Sequence, residues 1–347
     1  MKKTIAKIAL VGSALLISTS LTSAQTTVTG NIDIGLKALS TDSSKATSTR
    51  SMTKESQINL QTKGSLPNGM SYAAGMSLEY DGQDVGAIGT HTENNYIDII
   101  SGGTTISFSA DHMPNGNYSI TNIVGGVADI DDVAQGIAAQ TPVMLATHGA
   151  SASFGIGIIQ DFGVAKASYF YAPSGTNSPA ANDGSGLTGA LSGALNSFHE
   201  VTVRGNFGVK GLDAGLLFNM IDSDETTSGA NNDVQNYLVS LKYTLPNGLA
   251  AAVEQSENET KAGLNTKTRA LGLGYAVSKD VTVGYQIAKS DISTAATPTE
   301  KIQGINIGYN LGPVAITGLV VKADDVGATT TTGRNGKAAH VGASVKF

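Results

Sequence analysis

From Lys337 to Phe347 the chain alternates between two strips of side chains. Ala339, Val341, Ala343, Val345 and Phe347 are apolar, while His340, Gly342, Ser344 and Lys346 are polar or small. A period of two puts the strips on opposite faces of a β-strand. Val28, Gly30, Ile32, Ile34 and Leu36 alternate in the same way with Thr29, Asn31, Asp33, Gly35 and Lys37. A polar stretch, Ser40–Ser51, then reads as a loop. Ile58 and Leu60 alternate with Gln57, Asn59, Gln61 and Lys63 as far as the turn Leu66-Pro67-Asn68-Gly69, and Met70–Tyr80 alternates beyond it. In that turn Pro fixes one dihedral and Asn-Gly takes positive φ.

Further strands are predicted near Asn94–Ser101, Thr104–His112, Ala150–Ile159, Gly163–Ala172, His199–Gly208, Gly211–Asp222, Gln235–Leu245 and Gly248–Ser256. Lys267–Val277, Asp280–Ser290, Lys301–Leu311, Pro313–Ala323 and Lys337–Phe347 complete the set. The tally is sixteen, an even number, as a closed antiparallel barrel needs when both chain ends lie on one side. Short turns alternate with long polar loops, the asymmetry of barrels that cross an outer membrane. Tyr72, Tyr80, Tyr169, Tyr171, Tyr237, Tyr243, Tyr275, Tyr285, Tyr309 and Phe347 share the apolar phase of their strands. The β-propensity of tyrosine explains its presence in strands but not that common phase.

Met1–Ala24 reads as a secretory signal. Lys2, Lys3 and Lys7 precede the apolar run Ile8–Ile17, and Leu21-Thr22-Ser23-Ala24 supplies a small-residue cleavage site before Gln25. No other stretch approaches the ~20 consecutive apolar residues of a membrane helix. Residues 25–347 are then one exported β-domain. Apolar content is 40%, charged content 14%, glycine numbers 42, and cysteine is absent. A wall with lipid on one side and water on the other has this balance. Without cysteine there is no disulfide and no thiolate metal site. Removing the signal takes away three of the 22 basic residues and none of the 28 acidic ones, leaving 19 against 28 and a net charge of −9. That excess argues against nucleic acid as a partner and suggests a weak cation preference in a pore.

The connection Met113–Gly149 is the longest, and structureless loops above ~15 residues are commonly functional. Its centre, Ala128–Val133, carries Asp129, Asp131 and Asp132, and its second half (Ile137, Ala138, Pro142, Val143, Met144, Leu145) is apolar. A signal peptide, sixteen alternating strands, a terminal Phe and an oversized acidic loop after the fifth strand resemble the trimeric general diffusion porins of Gram-negative outer membranes. The resemblance implies a sixteen-stranded antiparallel transmembrane β-barrel whose third outer loop folds inward. It places Asp129, Asp131 and Asp132 at a pore constriction, opposite basic wall residues among Lys37, Lys63, Lys166, Arg204 and Lys242. It makes Phe347 part of the assembly signal. No arginine cluster marks the early strands, and Asp129–Asp132 is also readable as a solvated turn.

The resemblance further implies a homotrimer in contact with outer-membrane lipid and lipopolysaccharide, passing small hydrophilic solutes and ions without cofactor, metal or chemical step. His91, His112, His148, His199 and His340 lack metal-ligand spacing. Asp111 and His112, adjacent in a strand, point to opposite faces. Asp129-x-Asp131-Asp132 lacks the remaining ligands of a calcium loop. Gly155-Ile156-Gly157 and Gly272-Leu273-Gly274 lie inside alternating strands and read as wall glycines. The rival readings are a substrate-specific channel, a non-conducting adhesin and a barrel hydrolase using His112 or His199.

Overall fold

The computed structural model describes residues 25–41, 44–81, 91–110, 154–172, 197–222, 234–260, 265–293, 298–328 and 335–347. They form sixteen strands. In chain order these are β1 Gln25–Thr41, β2 Ser44–Ser65, β3 Ser71–Asp81, β4 His91–Ser101, β5 Thr104–Ala110, β6 Phe154–Asp161, β7 Ala165–Ala172 and β8 Ser197–Gly205. The rest are β9 Leu212–Asp222, β10 Val234–Thr244, β11 Leu249–Thr260, β12 Asn265–Ala276, β13 Val281–Ile292, β14 Glu300–Leu311, β15 Val314–Asp324 and β16 Gly336–Lys346. Each strand pairs antiparallel with its sequence neighbours, and β1 pairs with β16, so the sheet is a closed barrel without edges. The sixteen expected strands are present, most with ends displaced by a few residues, while β2 starts at Ser44, well before the expected Gln57.

Burial in this barrel is the reverse of that in a soluble domain. The buried side chains include Ser107, Thr202, Asn219, Asn236, Thr268 and Gln286, whereas Ile34, Leu36, Ile158, Leu216, Val253, Ile305 and Val341 are exposed. Alternation along each strand carries the polar set inward and the apolar set outward, where hydrocarbon replaces water as the solvent. The aromatic residues Tyr169, Tyr171, Tyr237, Tyr243, Tyr275, Tyr309 and Phe347 are exposed on the same outward face. They take the phase that the sequence predicts.

The ladder that closes the barrel runs from Asn31 opposite Lys346 to Thr41 opposite Gly336, and the last residue extends it. Gly30 donates its N–H to the Phe347 carbonyl at 2.8 Å and accepts the Phe347 N–H at 3.0 Å. The Phe347 ring lies over Gly30, so that a Cβ added there would sit 2.6 Å from Cζ of the ring. Tyr72 covers its cross-strand partner Gly64 in the same manner, with the ring 2.7 Å from the position of a Cβ. Glycine leaves room for an aromatic to fold along the wall, which pins register.

Two differences from the sequence reading have physical causes. Of Ser40–Ser51, read as a loop, residues 40–41 belong to β1 and 44–51 to β2, with Ala38 opposite Arg50 and Leu39 opposite Thr49. Its Ser and Thr residues pair through their backbones without needing an apolar face, so loss of alternation does not end the ladder. In β4 the register shifts where Gly75 faces Tyr96 but Ser77 faces Glu93. Asn94 adopts φ 52° there and donates to the Ser77 hydroxyl at 2.8 Å, the signature of a β-bulge. The short turns gather with the chain ends at one rim, the periplasmic end of such barrels.

Candidate functional site

The inward face is where polar chemistry collects. Across β8 to β11 one level of the wall is an amide row: Glu200 faces Asn219, Asn219 faces Asn236, and Asn236 faces Asn258 in direct register. Asn258 donates to the Asn236 side-chain oxygen at 2.6 Å, and Asn236 donates to that of Asn219 at 2.5 Å. One row nearer the short turns, the Ser168 and Thr202 hydroxyls are hydrogen-bonded across β7 and β8. Alternation places all of these side chains in the barrel interior. Their bonds to one another leave the wall polar and stiff.

Charge concentrates close to the short-turn rim. Arg204 binds Asp213 in bidentate fashion, Nε to Oδ1 at 2.9 Å and Nη2 to Oδ2 at 2.6 Å. Lys242 is the cross-strand partner of Asp213, and Lys166 that of Arg204. Lys166 also lies 3.5 Å from Asp161. Three of the five expected basic residues are thus gathered on β7, β8 and β10, with Asp213 among them. Lys63 stands apart on β2, two residues before its last position, Ser65. Lys37 lies further from that rim, opposite His340 of β16. All five occupy the inward phase. Asp129, Asp131 and Asp132, with the rest of Met113–Gly149, lie outside the described residues, as do Asp111 and His112.

The structure adds features that alternation alone misses. Phe198 joins Phe170 on the inner wall, with ring centroids 6.3 Å apart in an edge-to-face arrangement. Tyr96 and Asp98 also point inward, facing Gly75 and Ala73. The bulge at Asn94 sets their phase. A sector of the inner wall is apolar rather than polar. Ala270, Ala288, Ile302 and Ala323 follow one another in direct register from β12 to β15, and Val321 faces Ala338, which faces Leu39. This apolar row runs beside inward polar residues on the same strands, among them Thr268, Gln286, Ser290 and Asn306. Among the described residues no group of three or more His, Asp or Glu could hold a metal ion.

His199 turns outward. Its Nδ1 lies 2.9 Å from the Tyr169 hydroxyl and its Nε2 lies 3.3 Å from the Ser197 hydroxyl. The group that orients the imidazole is a phenol, not a carboxylate, and the trio is on the lipid-facing side of the wall.

Comparison with known proteins agrees with this geometry. No curated protein matches the sequence. Among solved structures, the anion-selective porin from Comamonas acidovorans superposes with a TM-score of 0.66 at 16% identity, covering 94% of this chain and 100% of that one. A multiple mutant of Rh. blastica porin gives a TM-score of 0.63 at 14% identity over 93% of this chain and 100% of its own. OmpT of Vibrio cholerae gives 0.60 at 13% identity over 96% and 100%. At these identities the likeness establishes the fold. The profile of the Gram-negative porin family matches residues 9–295, most of the chain. A closed sixteen-stranded barrel, greasy outside and polar within, whose sequence fits that profile over most of its length, belongs to the Gram-negative porins of the outer membrane.

Proposed function

We propose that this porin is a passive, water-filled channel for small hydrophilic solutes and ions, with a weak preference for cations. The observation that carries the reading is the inversion of burial, with Asn219, Asn236 and Gln286 inside and Ile305, Val320 and Val341 outside. Ion preference follows from charge on the wall. Asp33, Glu79, Asp98, Glu200 and Glu254 occupy inward positions, while Arg204 and Lys166 are engaged by Asp213 and Asp161. At the described inward positions carboxylates outnumber cations, which favours cations in the lumen. The test is a planar-bilayer recording under a salt gradient. A reversal potential of cation sign supports the preference, an anion sign overturns it, and folded protein without conductance overturns the channel.

The acidic stretch Asp129, Asp131 and Asp132 would narrow this lumen opposite Lys37, Lys63, Lys166, Arg204 and Lys242. Opposed charges across a narrow aqueous gap orient dipolar solutes and discourage apolar ones. Deleting residues 128–133 should raise conductance, and unchanged conductance would remove the constriction. The assembly is a homotrimer set in outer-membrane lipid and lipopolysaccharide, read out by cross-linking and by mass in detergent. Phe347 serves as the assembly signal through its pairing with Gly30. The outward position of Ser197, His199 and Tyr169 argues against a hydrolase, because a lipid-facing imidazole without a carboxylate lacks the aqueous cleft that nucleophilic catalysis uses.

A further inference from the structure

The apolar row on the inner wall has a cover at its outer end. Ile302, Leu319 and Val321 take inward positions, which in a water-filled barrel are normally polar, yet each is at most 1% exposed. They pack in one group with Ala270, Ala288, Ala323 and Ala338, and one member of that group, Val326, belongs to no strand. Val326 and Ala328 are both 0% exposed. Past Asp324, the last residue of β15, the chain therefore turns back over the inner face at the rim opposite the short turns.

Local chemistry fixes this segment. The Ala328 N–H donates to the Asp325 carbonyl at 2.8 Å and Gly327 lies at φ 78°, the arrangement of a type II turn with glycine at its third position. Such a turn leaves the N–H of its third residue unused. Here that N–H donates to Oε2 of Glu300 at 2.8 Å. Glu300 opens β14 opposite Ser290 of β13, inward in phase and 1% exposed. Asp325 donates its own N–H to the Asn335 side-chain oxygen at 2.9 Å, just before β16. Asp325 and Ala328 take φ of 55° and 45°, a region that residues with a Cβ seldom adopt. Conformations of that kind persist where the surroundings over-determine them, and a buried carboxylate, an apolar seat and an Asn side chain do so here.

We propose that Asp325–Ala328 is a fixed ledge that narrows the outer mouth of the pore beside β14 and limits the size of the solutes that enter. Val326 is its anchor in the apolar seat, and Glu300 is the residue that positions it. A ledge one chain thick takes about 5 Å from the lumen on that side. Glu300 acts on the ledge through an oxygen that accepts a backbone N–H, and a carboxamide oxygen accepts equally well. Glutamine at this position therefore keeps the clip and loses the charge, whereas alanine loses both. The ledge is separate from the acidic stretch Asp129–Asp132 on the connection after β5. This inference rests on the channel reading above.

The test compares the full-length barrel as wild type, Glu300→Ala and Glu300→Gln. Single-channel conductance in planar bilayers and swelling of proteoliposomes in glucose, sucrose and raffinose report the opening. Glu300→Ala should raise conductance by roughly a fifth or more, because about 5 Å of chain leaves the wall, and should raise raffinose entry relative to glucose. Glu300→Gln should match wild type in both. The chain has no cysteine, so Val326→Cys gives a clean second readout with a membrane-impermeant maleimide. Adding Glu300→Ala should speed that labelling on the order of tenfold, as loss of a hydrogen bond to a charged group shifts the seated equilibrium by about that factor. Val326→Asn, which removes the apolar anchor, replaces Glu300→Ala in the conductance and swelling assays if that variant fails to fold, with the same expectations. Unchanged conductance and raffinose entry overturn the ledge. Equal changes in Glu300→Ala and Glu300→Gln overturn it too, because they assign the effect to charge alone. Labelling of Val326→Cys as fast as that of Lys279→Cys, whose side chain is 89% exposed, overturns the seating. A wild-type barrel that does not conduct overturns the channel and the ledge together, whereas a conducting barrel indifferent to these variants overturns the ledge alone.

Discussion

The contact between Phe347 and Gly30 makes a quantitative prediction about barrel closure. A methyl group added at Gly30 would fall on the Gln57 carbonyl oxygen and lie 2.6 Å and 3.0 Å from Cζ and Cε2 of the Phe347 ring. Carbon atoms in contact prefer ~3.5–4.0 Å, so the ring must retreat by about 1 Å and the β1–β2 ladder must open locally. Overpacking of this kind costs about 1–3 kcal/mol, and Gly30→Ala should lie near 2 kcal/mol because two neighbours move. The two clashes are separable. Phe347→Leu removes Cζ but leaves the Gln57 carbonyl, so in that background Gly30→Ala should cost only about 1 kcal/mol. Urea titration of the folded barrel in lipid vesicles, scored by heat-modifiable gel migration, gives the four corners of this cycle. Equal cost in both backgrounds would show that the ring does not rest on Gly30, and the seam as described would be wrong.

Four other outcomes follow from particular contacts. Asp213→Asn removes the carboxylate charge and one of the two oxygens that accept from Arg204, and leaves Lys166, Arg204 and Lys242 less compensated; the reversal potential should move toward anions. The stability loss for that variant should stay below about 1 kcal/mol, since both partners are about a third exposed and screened. Asn236→Leu cuts the amide row in two places and should lower the unfolding free energy by about 1–3 kcal/mol, measured in urea. Gly69→Ala should cost about 1–2 kcal/mol from φ +82° alone, as nothing lies within 4 Å of the added methyl group. Gly248→Ala, at φ +84° and with the Ala276 Cβ 3.1 Å away, should cost more than Gly69→Ala in the same titration.

The fold was legible because a strand two-sided between lipid and water repeats its alternation whatever its neighbours do. Val28 to Leu36 and Ala339 to Phe347 can each be assigned a face in isolation, and the aromatic phase supports the same assignment. Position along the strand was legible only where turn residues mark it, as at Leu66–Gly69. Cross-strand neighbours were not legible, because register is a property of two segments and the interval between them. Lys166, Arg204 and Lys242 could be named as inward, but their gathering about Asp213 could not. Phe198 escaped notice because it stands just before the apparent start of its strand, and Tyr96 because the bulge at Asn94 shifts the phase next to it.

Register also ties closure to conduction. With β16 slipped by one residue against β1, the alternation rule would turn His340, Ser344 and Lys346 toward lipid and Val341, Val345 and Phe347 into the lumen. That would turn the Lys346 ammonium to the lipid side at the rim, at about 0–1 kcal/mol there, and set grease against the aqueous path. The observed pairing avoids this by a local device. Phe347 can fold along the wall only over a residue without a side chain, and Gly30 is the glycine of β1 that faces outward, since Gly35 occupies the inward phase. The match of one aromatic to one outward glycine therefore favours the observed register at this seam and keeps the apolar face of β16 outward.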